Sequence, residues 1–211
     1  MIVIIDSKIA NLGSVVAAFR HLGEAVTISD DPDIVASAEG LVLPGVGAFA
    51  DGMESLQRLG LDGPIRSAAA KGKPILGICL GMQLLAEESE EFGNHKGLGL
   101  IPGRVVRLAP KSGERVPNIG WCDVYPAGDS SIFCDITAGT AFYFVHSYHF
   151  LCNNRENSVA VIDFGHEPVT VAVERGNIFG VQFHPEKSQD AGLGVLEAFV
   201  TYVKKESCHA S

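Results

Sequence analysis

The sequence predicts an α/β fold with a mostly parallel central sheet, flanking helices and an additional region of antiparallel strands. Three observations carry that prediction. In the first half, short apolar runs alternate with stretches of helical period, the pattern of strand–helix–strand units with right-handed crossovers. In the second half the runs become short, β-branched and punctuated by Gly and Pro. Between them, Gly77-Ile78-Cys79-Leu80-Gly81 joins an apolar run to an amphipathic one through a turn framed by two glycines.

Taken in order, residues 2–5 form a continuous apolar run ended by Asp6, as a central parallel strand requires. A helix follows from Asn11, a good N-cap, with Leu12, Val15, Val16, Phe19 and Leu22 on one face and Gly23 as its stop. Residues 25–29 make a second strand, and 30–33 turn into a short helix. Residues 40–43 are a third strand, expected to break at Pro44-Gly45-Val46-Gly47. Helices carrying Phe49, Met53, Leu56 and Leu59, and then residues 64–70, come next. The strand over 74–78 enters the glycine-framed turn, and a helix is expected from there to about Ser89. Later strands fall at 105–108, 116–124, 141–145, 159–164, 169–174 and 178–182, several of them antiparallel. A last helix covers 193–204, and the polar tail after Lys205 is expected to fray. Nothing reads as a linker or a repeat, so residues 1–205 are expected to form a single domain, followed by a tail over 206–211.

Composition narrows the function. Hydrophobic residues make up 46% of 211, enough for a sizeable core. A net charge of −9 without a basic run argues against nucleic acid or an anionic membrane as partner. The five cysteines (79, 122, 134, 152 and 208) show no CxxC pair and no Cys/His ligand spacing, so no metal site is expected and no cofactor is implied. An odd number of thiols and an opening without an export signal point to a reducing cytoplasm. No run approaches the ~20 apolar residues of a membrane span.

The turn at Cys79 has the nucleophile-elbow pattern with cysteine in place of serine. It holds the thiol at a strand's tip with the first helical N–H groups aimed at it, where the helix dipole favours a thiolate. The alternative is a buried structural cysteine between packing glycines. A base is offered by Phe183-His184-Pro185-Glu186. In an extended segment His184 and Glu186 face one side, so Glu186 could orient the imidazole toward a nucleophile. A surface His-Pro-Glu turn is the alternative.

Together the two motifs resemble the class I, triad-type glutamine amidotransferases, which have a flavodoxin-like α/β fold. Six motifs occur in one order: 44–49, 77–85, 96–101, Gly120-Trp121, 143–148 and 184–188. Within that class they resemble the glutaminase subunits of imidazole glycerol phosphate synthases, which work beside a TIM-barrel cyclase in histidine biosynthesis. The resemblance implies hydrolysis of L-glutamine, with Cys79 as nucleophile, His184 as base and Glu186 as its orienter. It implies an oxyanion hole from the N–H of Leu80 and a second donor in the Gly45-Val46-Gly47 loop, at Val46 or Gly47. Gln83 and Glu91 match residues that hold the substrate's amino-acid end, and Ser147 and Tyr148 offer it backbone contacts. A solvated charge is the alternative for Glu91. Asn11, Trp121 and Lys187 match positions facing the partner or the ammonia route. A heterodimer with the cyclase subunit is implied. His146 is expected to be packed or partner-facing rather than a second base.

Two segments depart from the family. A Tyr-Gly-x-Gly-Asn turn is replaced by Ser7-Lys8-Ile9-Ala10-Asn11, and His-Met-Gly-Trp-Asn by Asn118-Ile119-Gly120-Trp121-Cys122. These leave open a glutaminase subunit serving a different synthase. A stand-alone cysteine hydrolase acting on γ-glutamyl compounds is the other alternative.

Overall fold

The computed structural model describes residues 1–209, the last by its backbone alone, so the expectation for residues 210–211 lies outside the described residues. The chain opens with β1 (Ile2–Ile5), α1 (Leu12–His21), β2 (Val26–Ser29), α2 (Pro32–Ser37) and β3 (Gly40–Gly45). It continues through α3 (Phe49–Arg58), α4 (Asp62–Ala70), β4 (Ile75–Cys79) and the short α5 (Leu80–Leu84). Nine strands follow before the next α-helix, beginning with β5 (Glu88–Ser89), β6 (His95–Lys96), β7 (Gly103–Arg107) and β8 (Asn118–Pro126), then β9 (Thr140–His146) and β10 (Tyr148–Cys152). The last two pairs of elements are β11 (Ser158–Phe164) and β12 (Glu167–Arg175), then β13 (Ile178–Val181) and α6 (Gln189–His209).

Nine strands form one mixed sheet in the order β2-β1-β3-β4-β13-β12-β11-β8-β9. From β2 to β13 neighbours are parallel, and from β13 to β9 they are antiparallel. A smaller sheet, β10-β7-β5-β6, packs beside it. Alternation along the parallel strands sends Ile2, Ile4, Val42, Leu76 and Ile78 into a core under α1 and α6. Val3, Ile5, Leu41, Leu43 and Ile75 go into a second core under α3 and α4. Both faces are covered, which is why these strands read as unbroken apolar runs. Among the described residues no helix is long and apolar enough to cross a membrane.

The structure differs from the sequence reading at five places. Strand β3 runs through Pro44 to Gly45, because β4 pairs it to its end while β1 pairs only as far as Val42. The missing N–H of proline therefore costs no ladder bond on that side. The helix after Cys79 ends at Leu84, not near Ser89. The Leu84 carbonyl accepts from Leu98 N–H and the Leu85 carbonyl from Leu100 N–H, so neither is left for another helical turn. The short strands β5 and β6 and the strand β10 carry too little periodicity to be seen in the sequence. Helix α6 starts at Gln189, earlier than expected, because Gly192 fits where a Cβ would stand 2.0 Å from the Pro185 carbonyl. It also continues past Lys205 to His209, so the segment expected to fray is its last turn as far as it is described.

Candidate active site

Cys79 is the last residue of β4 and directly precedes α5, with φ 55° and ψ −111°. Positive φ is unfavourable for a residue with a side chain, and neighbouring glycines make the turn possible. A Cβ on Gly81 would stand 1.7 Å from the Leu43 carbonyl, and one on Gly77 would stand 2.6 Å from the Gly81 carbonyl. The glycines let β3 and the start of α5 close around the thiol, which is buried. Leu80, as the first residue of α5, has an N–H without an intrahelical acceptor.

The other half of the site arrives on the neighbouring strand. Register pairs Gly180 with Gly77 and Val181 with Ile78, so the residues after β13 emerge beside Cys79. There the chain does not stay extended: His184 has β-region angles and a single 3₁₀ turn, Pro185–Lys187, follows. That turn brings Glu186 Oε1 to 2.8 Å from His184 Nδ1, both side chains being almost fully buried. Burial alone disfavours an imidazolium, but hydrogen bonds and charge from Cys79 and Glu186 outweigh it, and His184 is pushed up to about 9. Ser188 fixes the turn, its hydroxyl donating to the His184 carbonyl at 2.7 Å and accepting from Tyr143 N–H at 3.0 Å.

These residues open on a cavity of about 300 Å³ lined by Val46, Gly47, Cys79, Leu80, Gln83, Glu91, Ser147, Tyr148, His184 and Lys187, among others. That is the low end of small-molecule sites, the scale of an amino acid. A larger cavity, about 860 Å³, lies between segment 131–140 and α6. It carries Cys134 but no histidine beside it, so the smaller cavity, which holds Cys79 and His184 together, is the candidate site.

The structure brings together most of the residues singled out from the sequence. Glu91 is buried, not solvated, and its Oε2 accepts from Phe49 N–H at the start of α3, 2.7 Å away. Gln83 spends its amide N–H₂ on Gln182 Oε1 (3.0 Å) and the Tyr148 carbonyl (3.2 Å). The Ser147 carbonyl accepts from Leu108 N–H. His146 is packed: Nδ1 lies 2.9 Å from the Tyr148 carbonyl and Nε2 3.1 Å from Asn118 Nδ2. Burial holds its value down at about 4, so it is neutral at pH 7. Asn11 and Lys187 share a small cleft with His184 and Glu186. Trp121 stands apart from that cleft on the outer face of β8, edge-on to Tyr143 at 5.9 Å, with Lys187 Nζ over the same tyrosine ring. Around it Ile119 and Val145 are also exposed, so this face is apolar.

One backbone N–H beside the cavity is already engaged. The Val46 N–H donates to the Ile9 carbonyl at 2.8 Å, and Gly47 has φ 100°. Sequence reasoning missed Gln182, which is fully buried beneath the thiol with Nε2 3.8 Å from Cys79 Sγ. Its one signal is a lone amide ending an otherwise apolar strand.

Residues 3–201 match the family model described as glutamine amidotransferase class-I. The chain belongs to that family. Among curated relatives, this amidotransferase is 48% identical over 203 residues to the imidazole glycerol phosphate synthase subunit HisH of Moorella thermoacetica, covering 96% of this chain and 95% of that one. It is 49% identical over 195 residues to the same subunit of Symbiobacterium thermophilum, covering 92% and 91%. Solved structures share the amidotransferase's fold at lower identity. The structure of PurLQS from Thermotoga maritima superposes with a TM-score of 0.72 at 20% identity, covering 96% of this chain and 98% of that one. A crystal structure of a glutamine amidotransferase gives the same TM-score and identity, covering 94% and 98%.

Proposed function

We propose that this chain is the glutaminase subunit of an imidazole glycerol phosphate synthase, hydrolysing L-glutamine and passing ammonia to a cyclase subunit in histidine biosynthesis. The observation that carries the reading is the Cys79–His184–Glu186 constellation in a chain 48% identical to a HisH subunit along nearly its full length. Cys79 Sγ, as thiolate, attacks the side-chain amide carbon of glutamine. The tetrahedral oxyanion is met by Leu80 N–H and by Val46 N–H once the Gly45–Val46 peptide turns away from Ile9. The imidazolium of His184 gives its proton to the departing ammonia, leaving a thioester on Cys79. Water then attacks that thioester while His184 takes its proton, releasing glutamate and restoring the thiolate. Glu186 keeps Nδ1 of His184 hydrogen-bonded so that Nε2 faces the chemistry.

Glu91 and the free oxygen of Gln83 receive the substrate's amino-acid end, with Ser147 and Tyr148 along the wall. The exposed apolar face at Ile119, Trp121 and Val145, together with the separate cleft at Asn11 and Lys187, is proposed to meet the cyclase. Five unpaired cysteines suit a cytoplasmic location. The test is reconstitution: the purified chain is mixed with the cyclase encoded nearest to it, glutamine and that enzyme's nucleotide substrate. Glutamine-dependent formation of imidazole glycerol phosphate supports the reading. Full glutaminase activity from the chain alone, or activation only by a different synthase, would overturn the assignment of partner.

A further inference from the structure

We infer that Asn118 and His146 are positioning residues for glutamine, which staple the chain corner at Ser147 and through it fix the amide of Gln83; this rests on Gln83 holding the substrate's amino-acid end. The chain leaves the large sheet with β9 and enters the small one with β10, and Ser147 is the single residue between them. Ser147, Tyr148 and Gln83 all line the 300 Å³ cavity. The Ser147 carbonyl is held by the strand ladder, through Leu108 N–H. The Tyr148 carbonyl is not. Arg107 N–H, its neighbour across the ladder, donates instead to Glu90 Oε1 at 2.9 Å. Side chains take its place: His146 Nδ1 at 2.9 Å and Gln83 Nε2 at 3.2 Å.

The direction of each bond follows from what its groups can do. A carbonyl only accepts, so His146 Nδ1 carries the proton and Nε2 of the neutral ring must accept. Asn118 stands opposite His146 in the β8–β9 pair and donates from Nδ2 at 3.1 Å. Its Oδ1 is thereby turned to Cys122, whose thiol donates to it at 3.6 Å. At the far end Gln83 gives its N–H₂ to Tyr148 and Gln182, which leaves its oxygen for the substrate. A chain of matched donors and acceptors thus runs from the inner face of β8 to the cavity wall. A reversed donor at Asn118 would reach Gln83 through the shared carbonyl.

The experiment takes Cys79→Ala, which binds without turnover, as background and adds Asn118→Leu or Asn118→Asp. Glutamine affinity is read by calorimetry, as a ratio to the background at each pH, and the His146 ring by NMR. The background should show a neutral ring with its proton on Nδ1. Asn118→Leu leaves Nε2 without a donor and should weaken glutamine about fivefold at every pH. Asn118→Asp sets an acceptor against Nε2, so the ring must take a second proton. The new carboxylate works against burial and the neighbouring His149 and His184, and raises the His146 titration above about 4. Below that titration both N–H groups donate and affinity should equal the background's. Above it affinity should fall about fivefold. A loss of packing would not track a proton on His146. Undiminished affinity in a folded Asn118→Leu overturns the inference, and so does a loss in Asn118→Asp that ignores the titration. If Asn118→Leu unfolds, the profile of Asn118→Asp decides. No glutamine binding by the background, with or without the cyclase, means that the glutaminase reading itself fails.

Discussion

Glu186 holds His184 by one carboxylate oxygen only: Oε1 is 2.8 Å from Nδ1, while Oε2 is buried without a hydrogen-bond partner. A buried acceptor left open is costly, and a charged one more so. Here the cost is offset by an imidazolium that the carboxylate itself helps to maintain.

The pH dependence follows from that pairing. His184 has an ordinary value of 6.5 and is pushed up to about 9 in the folded protein. A raised folded-state value means the stabilisation is fully present below about pH 6.5 and is lost as pH rises through about 9. Glutamate release, which needs the imidazolium as acid, should hold through neutral pH and fall with a midpoint near 9. In Glu186→Gln both the midpoint and the NMR titration of the His184 ring should move to lower pH. A midpoint unmoved by Glu186→Gln would remove Glu186 from the triad.

Cys79→Ser should abolish glutamate release, measured with the partner present, and leave the far-UV circular dichroism unchanged. A glutamine-shaped diazo-ketone should alkylate Cys79 alone. Cys134 and Cys208 are exposed and open to general alkylating agents, but neither faces the 300 Å³ cavity. Burial pushes Cys152 up to about 12, which leaves it inert. Peptide mapping that finds equal labelling at Cys134 counts against the assigned site.

The Val46 N–H bound to Ile9 predicts strong coupling to the partner. A missing oxyanion donor costs about 3–4 kcal/mol, roughly 100- to 1000-fold in rate. Adding the cyclase with its nucleotide should raise glutamate release by that order. Activation below tenfold would mean that the hole is already complete in the free chain.

Gln182 gives a test of a residue with no assigned role. Gln182→Leu strips Gln83 of one buried acceptor and should cost about 1–3 kcal/mol in urea unfolding. It should also raise KM for glutamine, because Gln83 loses a contact that orients it. Gly81→Ala, with its Cβ 1.7 Å from the Leu43 carbonyl, should cost about 3 kcal/mol or more by displacing β3 from the elbow.

Sequence alone exposed what depends on local pattern. The glycines around Cys79 and the His184-x-Glu186 spacing are set by steric and side-chain rules acting over a few residues, so both segments of the candidate site could be read. The 3₁₀ turn at Pro185 was not needed for that, since an extended segment gives the same neighbours. Long-range facts were hidden. Gln182 meets Cys79 across 103 residues, and nothing near it in sequence announces the contact. The early end of α5 is decided by N–H groups from Leu98 and Leu100. The bond from Val46 N–H to the Ile9 carbonyl joins two loops far apart in the chain, which no periodicity reveals.

Strand β13 is the seam of the large sheet, parallel to β4 on one side and antiparallel to β12 on the other. The thiol therefore belongs to the early half of the chain, and its base arrives only when a late strand docks beside it. Closing so long a loop is a slow event in folding. On the proposed chemistry, a nascent or partly unfolded chain carries the cysteine without the histidine and cannot hydrolyse glutamine. On that chemistry, the order in which the strands assemble keeps a growing chain from releasing ammonia before it can meet a partner.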